Sequence, residues 1–133
     1  MDKVLIRGFL VDVYGDRGAG VVTFVDNLQN IYNLLDVELI DVTERQIGKF
    51  TYDIVCDDEG LFKQDALPSA FNGKQEAQLV GNLLLVNHDE EGNFASLTDE
   101  QIEDLKEHLC VAMCSMSGDK TRVYTVLKEV EYA

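Results

Sequence analysis

The segment from Leu83 to Met116 constrains this chain more than any other. Leu83, Leu84, Leu85 and Val86 read as a buried strand, and Asn87-His88-Asp89-Glu90-Glu91-Gly92-Asn93 as a tight acidic turn. A helix then opens with a full set of start signals. Thr98 stands at the cap, Gln101 completes a capping box, and Leu97 and Ile102 are placed as a hydrophobic staple. Behind the cap, Ile102, Leu105, Leu109, Ala112, Met113 and Met116 recur at spacings of three and four. That spacing predicts one long amphipathic helix, closed by Ser117-Gly118-Asp119-Lys120. Its opposite face carries Glu100, Glu103, Asp104 and Glu107.

The preceding residues divide into short elements. A first strand over 3–13 turns through Tyr14-Gly15-Asp16-Arg17-Gly18-Ala19-Gly20 into Val21–Val25, a hairpin. Asp26 or Asn27 can cap a short helix with Leu28, Ile31, Tyr32, Leu34 and Leu35 on its apolar face. Strands follow over 37–47 and 50–56, the second alternating Phe50, Tyr52, Ile54 and Cys56 with Thr51, Asp53 and Val55. Asp57-Asp58-Glu59-Gly60 turns into Leu61-Phe62 and matches the later Asp89–Gly92 turn, so the same hairpin chemistry is expected twice. Residues 63–82 lack periodicity and read as a long ordered loop with one helical turn at most. Alternation over 121–132 (Tyr124, Val126, Val130, Tyr132) predicts a last strand. The sum is an α+β fold: one domain over 1–133, with a mostly antiparallel sheet of five or six strands and two helices on one face.

Charge carries the functional content. The formal net charge is −14, and between Asp89 and Glu107 eight acids face Lys106 alone, a local net of −7. Such a field opposes phosphate-backbone binding, so direct nucleic-acid contact is not expected. It attracts basic protein surfaces or cations. Asp99 and Glu100 are accounted for by the helix dipole, but the remaining acids add self-repulsion that a basic partner would offset.

The strand ending Asp12-Val13-Tyr14-Gly15, the leucine-rich short helix, the runs 53–60 and 80–86, and the segment Asp89–Ile102 together resemble a known family. It is the family of domain of unknown function 3846 (DUF3846), met in bacteria, their phages and plasmids. The likeness spans about residues 1–109 and is most specific from Val80 to Ile102; residues 110–133 lie outside it. The resemblance implies no activity, catalytic residue or cofactor. It implies a setting among small accessory proteins of mobile elements, some of which meet host defence systems.

Other chemistries find little support. Cys110 and Cys114, at i and i+4 on the expected helix beside His108, could hold a metal, but only His88 and Cys56 remain to complete the set. No metal site and no cofactor is therefore expected. Neither acidic turn has the spacing of a calcium loop. Gly15, Gly18 and Gly20 lead into a strand rather than a helix, unlike a dinucleotide fingerprint, and no phosphate-loop lysine follows. No nucleophile elbow is present, and two histidines would have to serve any triad. Three cysteines without framework spacing fit buried thiols in a reducing compartment. The longest apolar run, Leu109–Cys114, is six residues, so no membrane span is expected; Asp2 and Arg7 interrupt any signal-like stretch, which makes the cytoplasm the expected location.

The expectation is a non-enzymatic interaction protein that presents Asp89, Glu90, Glu91, Glu100, Glu103, Asp104 and Glu107 to a basic protein surface. A host DNA-binding or defence protein would be such a partner, making this chain a DNA mimic or inhibitor. The alternative is a small-ligand binder or enzyme with a pocket under residues 63–82, holding His88 or the carboxylates of Asp57 and Asp89.

Overall fold

The computed structural model describes residues 4–15, 17–60, 66–116, 118 and 120–133. Lys3, Asp16, Leu61, Phe62, the start of the 63–82 segment (63–65), Ser117 and Asp119 lie outside the described residues. In chain order the elements are β1 (Leu5–Asp12), β2 (Gly18–Val25), α1 (Leu28–Leu35), β3 (Ile40–Ile47), β4 (Phe50–Asp57), β5 (Pro68–Phe71) and β6 (Ala77–Val80). They continue as β7 (Leu83–His88), β8 (Phe94–Ala95), α2 (Asp99–Glu107), β9 (Leu109–Met116), β10 (Lys120–Leu127) and β11 (Val130–Tyr132). The main sheet runs β11-β3-β4-β7-β1-β2, with β8 added to β7, and a second sheet runs β6-β5-β10-β9. Pairing is antiparallel except between β10 and β5, where Leu127 lies opposite Ala70.

The apolar run in β7 dictates the layering. All four residues from Leu83 to Val86 are fully buried, so both faces of the sheet must be covered at this strand. Side chains alternate across a strand. Leu83 and Leu85 accordingly join one cluster, with Phe9, Val11, Tyr52 and Ile54 of the sheet, Ile102 and Leu105 of α2, and Tyr124, Val126 and Leu127 of β10. Leu84 and Val86 join another, with Ile6, Leu10, Phe24 and Val55 of the sheet and Ile31 and Leu35 of α1. Each such side chain contributes about 1.5–3 kcal/mol by leaving water. The two helices therefore cover opposite faces rather than sharing one. On the face of α2 the second sheet completes the cover, so the described residues form a seven-stranded and a four-stranded sheet in place of the expected single sheet of five or six strands.

Three local expectations are corrected. The long helix stops at His108, and the second half of its supposed stripe is β9. In β9, Cys110, Ala112 and Cys114 pack against the core while Val111 and Met113 stand 67% and 73% exposed. A run of small and β-branched residues satisfies either period, and antiparallel pairing along all of β10 selects the extended one. Residues 63–82 contain β5 and β6, an irregular antiparallel pair with register shifts, which masks the periodicity that a regular hairpin would print. The two acidic turns also differ. Gly92 takes φ +84 in a hairpin joining β7 and β8, whereas β4 runs out through Asp57 toward β5, a strand of the other sheet, and Gly60 has no positive φ.

The first hairpin, the Asn27 cap of α1 and the capping box of α2 match expectation. The final strand is broken at Glu129 (φ 57), where the chain passes from β10 in the second sheet to β11 in the main one. No helix among the described residues is long and apolar enough to cross a membrane.

Candidate functional site

The capping box anchors both acidic segments at one end of α2. Thr98 Oγ1 accepts from the Gln101 backbone N–H at 3.1 Å, and Gln101 Oε1 accepts from the Thr98 N–H at 2.9 Å. The same Gln101 side chain pairs with Asn87, donating to its Oδ1 at 2.8 Å and accepting from its Nδ2 at 2.6 Å. Asn87 stands at the root of the acidic turn, so the turn is tied to the first turn of the helix. Within the turn, Asp89 Oδ1 accepts from the N–H groups of Glu91 and Asn93, both at 2.9 Å. Asp89, Glu90 and Glu91 are exposed.

The other end of α2 rests on the β3–β4 hairpin. The Tyr52 hydroxyl donates to Asp104 Oδ2 at 2.9 Å, with the Gln101 carbonyl 3.1 Å away. Burial, followed by the hydrogen bond and charge of Asp104, pushes the ionisation of Tyr52 far above its ordinary value. His108 Nδ1 meets the Asp104 carbonyl oxygen at 2.6 Å, and its Nε2 lies 3.6 Å from Glu129. Gly48 (φ +59) closes the hairpin against this pair; an added Cβ would overlap the Asp104 carboxylate and stand 2.7 Å from the His108 ring. Only glycine fits there.

Between these anchors, Lys49, Phe50, Asp99, Glu100, Glu103, Asp104 and Glu107 line an open groove of about 470 Å³. Its charges are not equivalent. Asp99 pairs with Arg7 at 2.8 Å, and Glu103 with Lys106 at 3.4 Å. The Asp104 side chain is 10% exposed and held by Tyr52. Glu100 and Glu107 are exposed and in no ion pair with a described residue. Of the seven acids singled out from sequence, Asp104 thus serves the fold first, and the other six face solvent.

The i, i+4 placement of Cys110 and Cys114 on a helix does not hold. Cys110 and Cys114 lie on a strand, where four residues span about 13 Å, too far for one metal ion. Cys56 opens instead onto a cleft of about 360 Å³ beside Asp41, Asp57, Asp58 and residues 77–80 of β6. Burial and then the charges of Asp41, Asp57 and Asp58 push its thiol up to about 11. The cleft takes in Asp57 but neither His88 nor Asp89.

One cluster escaped sequence reasoning. Glu44 of β3, Asp53 of β4 and His88 of β7 bring ligand-capable atoms within 4.8 Å of one another. His88 Nδ1 and Asp53 Oδ2 are 2.6 Å apart, a contact that, with the neighbouring charges, raises the His88 ionisation above its ordinary value. Asp53 alternates with the apolar positions of its strand, yet it is itself only 8% exposed. Three residues from three strands leave no spacing signal; an acid in the middle of an apolar strand was the single local hint.

In comparison with known proteins, residues 10–110 fit the family model described as Domain of unknown function (DUF3846). No curated protein and no solved structure matches.

Proposed function

The chain belongs to the DUF3846 family, and from that premise we propose that it is a non-enzymatic interaction protein whose acidic α2 groove and β7–β8 turn dock a basic protein surface. The observation carrying this reading is the groove itself. It puts the exposed Glu100, Glu103 and Glu107 on one side and the Phe50 ring with Lys49 on the other. Exposed carboxylates, of which Glu100 and Glu107 are in no ion pair with a described residue, beside the apolar Phe50 ring suit an arginine- or lysine-rich partner, which gains charge-assisted bonds and stem packing together. In the mobile-element setting implied by the sequence resemblance, the partner is a host DNA-binding or defence protein, and the groove occupies the place of a phosphate backbone. The test is capture from bacterial host lysate at rising salt, comparing the native chain with a Glu100→Gln, Glu103→Gln, Glu107→Gln variant. A basic protein released by salt and lost by the variant is expected. Absence of any salt-sensitive basic partner, or one held equally by the variant, defeats the reading.

The cleft beside Cys56 favours a second reading, a small-ligand pocket under residues 77–80. Its three aspartates would select a cationic or metal-chelated ligand. A thermal-shift screen against small cationic metabolites separates the two: stabilisation that Asp41→Asn abolishes supports the pocket and is not expected of the docking protein.

A further inference from the structure

We propose that Glu44, Asp53 and His88 form a binding site for a divalent first-row transition-metal ion of the zinc class. Pairing register builds the cluster. Glu44 lies directly opposite Asp53 across β3 and β4, and Asp53 lies opposite Val86 across β4 and β7. His88, two residues beyond Val86, points to the same face as both carboxylates. That face is the one covered by α1, so the site is on the other side of the sheet from the acidic groove and independent of it.

The arrangement sets two carboxylates against a single imidazole. Like charges directly opposite each other across two strands destabilise the pairing. Here one member, Asp53, is 8% exposed, and a buried carboxylate needs a partner of opposite charge. Its only side-chain bond among the described residues is the one to His88, and Glu44 is in no hydrogen bond or ion pair with a described residue. A divalent ion bridging the three would neutralise both carboxylates at once.

Donor chemistry narrows the ion. One imidazole nitrogen and two carboxylate oxygens, with no thiolate, match zinc, manganese or iron(II) sites rather than the oxygen-only shells of calcium or magnesium. Ligands about 2.1 Å from a tetrahedral centre stand about 3.4 Å apart. The three ligand atoms lie within 4.8 Å of one another and the His88–Asp53 contact is 2.6 Å, values that bracket that spacing. Two ligands sit on adjacent strands of the central sheet, which holds them rigidly. His88 is half exposed and Glu44 exposed, leaving an open side from which an ion enters and where water completes its shell.

The test is calorimetric titration of the full chain with Zn²⁺, backed by the visible spectrum of its Co²⁺ form. One ion per chain is expected, with a cobalt spectrum lacking a thiolate charge-transfer band. Glu44→Gln and His88→Gln should each weaken binding at least tenfold, and the double variant should abolish it; circular dichroism checks that all remain folded. A Cys110→Ala, Cys114→Ala variant and a Glu100→Gln, Glu107→Gln variant should bind as tightly as the native chain. Equal zinc affinity in the Glu44→Gln, His88→Gln chain would mean an adventitious ion only, and loss of binding in either control variant would place the metal elsewhere. Either result overturns the proposal, as does the absence of binding.

Discussion

Replacing Tyr52 by phenylalanine removes one oxygen and leaves the packing of the ring almost untouched. The Tyr52 side chain is 1% exposed and meets Phe50 edge to face, with centroids 6.4 Å apart. Its hydroxyl is the close donor to Asp104, whose side chain is 10% exposed and whose next partner, His108 Nδ1, is 3.6 Å away. Water reaches so enclosed a carboxylate poorly, so Tyr52→Phe should cost about 1.5–3 kcal/mol, the range for hydrogen bonds to charged groups. With a urea slope of about 2 kcal/mol/M, the unfolding midpoint falls by about 1 M at unchanged slope. A double-mutant cycle with Asp104→Asn should recover a coupling of about 1 kcal/mol or more, because the two residues share one bond. The sign with pH is fixed too. Tyr52 ionises higher in the folded chain than its ordinary value of 10.0, so its contribution is complete below that value and is lost as pH rises toward the folded one. The alkaline loss should therefore be smaller in Tyr52→Phe. A midpoint shift equivalent to less than about 0.5 kcal/mol, with no coupling, would refute the reasoning. It would mean that the Asp104 carboxylate is hydrated and available at the surface like its neighbours.

Three further outcomes follow from burial and charge. Met113→Ser, at a 73% exposed position of β9, should change stability by less than about 0.5 kcal/mol, whereas Leu105→Ala in the core should cost about 2–5 kcal/mol in the same denaturation assay. Thiol titration near pH 8 should modify Cys56 last, since burial and three aspartates push it up to about 11; the remaining thiol should become reactive only in denaturant. For Asp12, burial acts to raise the ionisation, but the Arg17 guanidinium at 2.8 Å and the Gly15 N–H outweigh it and hold the carboxyl below its ordinary value. That stability is present above the ordinary carboxyl range and is lost as pH falls through the lowered value, so Asp12→Asn should flatten the acid limb of the stability profile by about 1 kcal/mol.

Signals that act within a few residues are legible in the sequence. The Thr98–Gln101 capping box, the Asn27 cap and the β1–β2 and β7–β8 hairpins all depend on neighbours three to eight positions away along the chain. The apolar run Leu83–Val86 likewise announced a strand at the centre of the core. What such signals cannot carry is the identity of the layer above a strand. Leu84 and Leu85 are the same residue type, yet one packs toward α1 and the other toward α2 and β10. Their chemistry is identical and only topology separates them.

Residues 109–116 mark the same boundary from the other side. Leu109, Ala112, Met113 and Met116 fit a helical stripe while Cys110, Ala112 and Cys114 fit an alternating strand, and β10, supplied by residues 120–127, decided between them. The helix starts, the first hairpin, the Asp89–Gly92 turn, the charge and the buried central strand were written into the chain itself, because these follow from short-range sterics and hydrogen bonding. Which acids remain at the surface, which one is held under Tyr52, and the meeting of Glu44, Asp53 and His88 came from long-range packing. Proximity across a sheet is created by strand order, and strand order is a property of the whole folded chain.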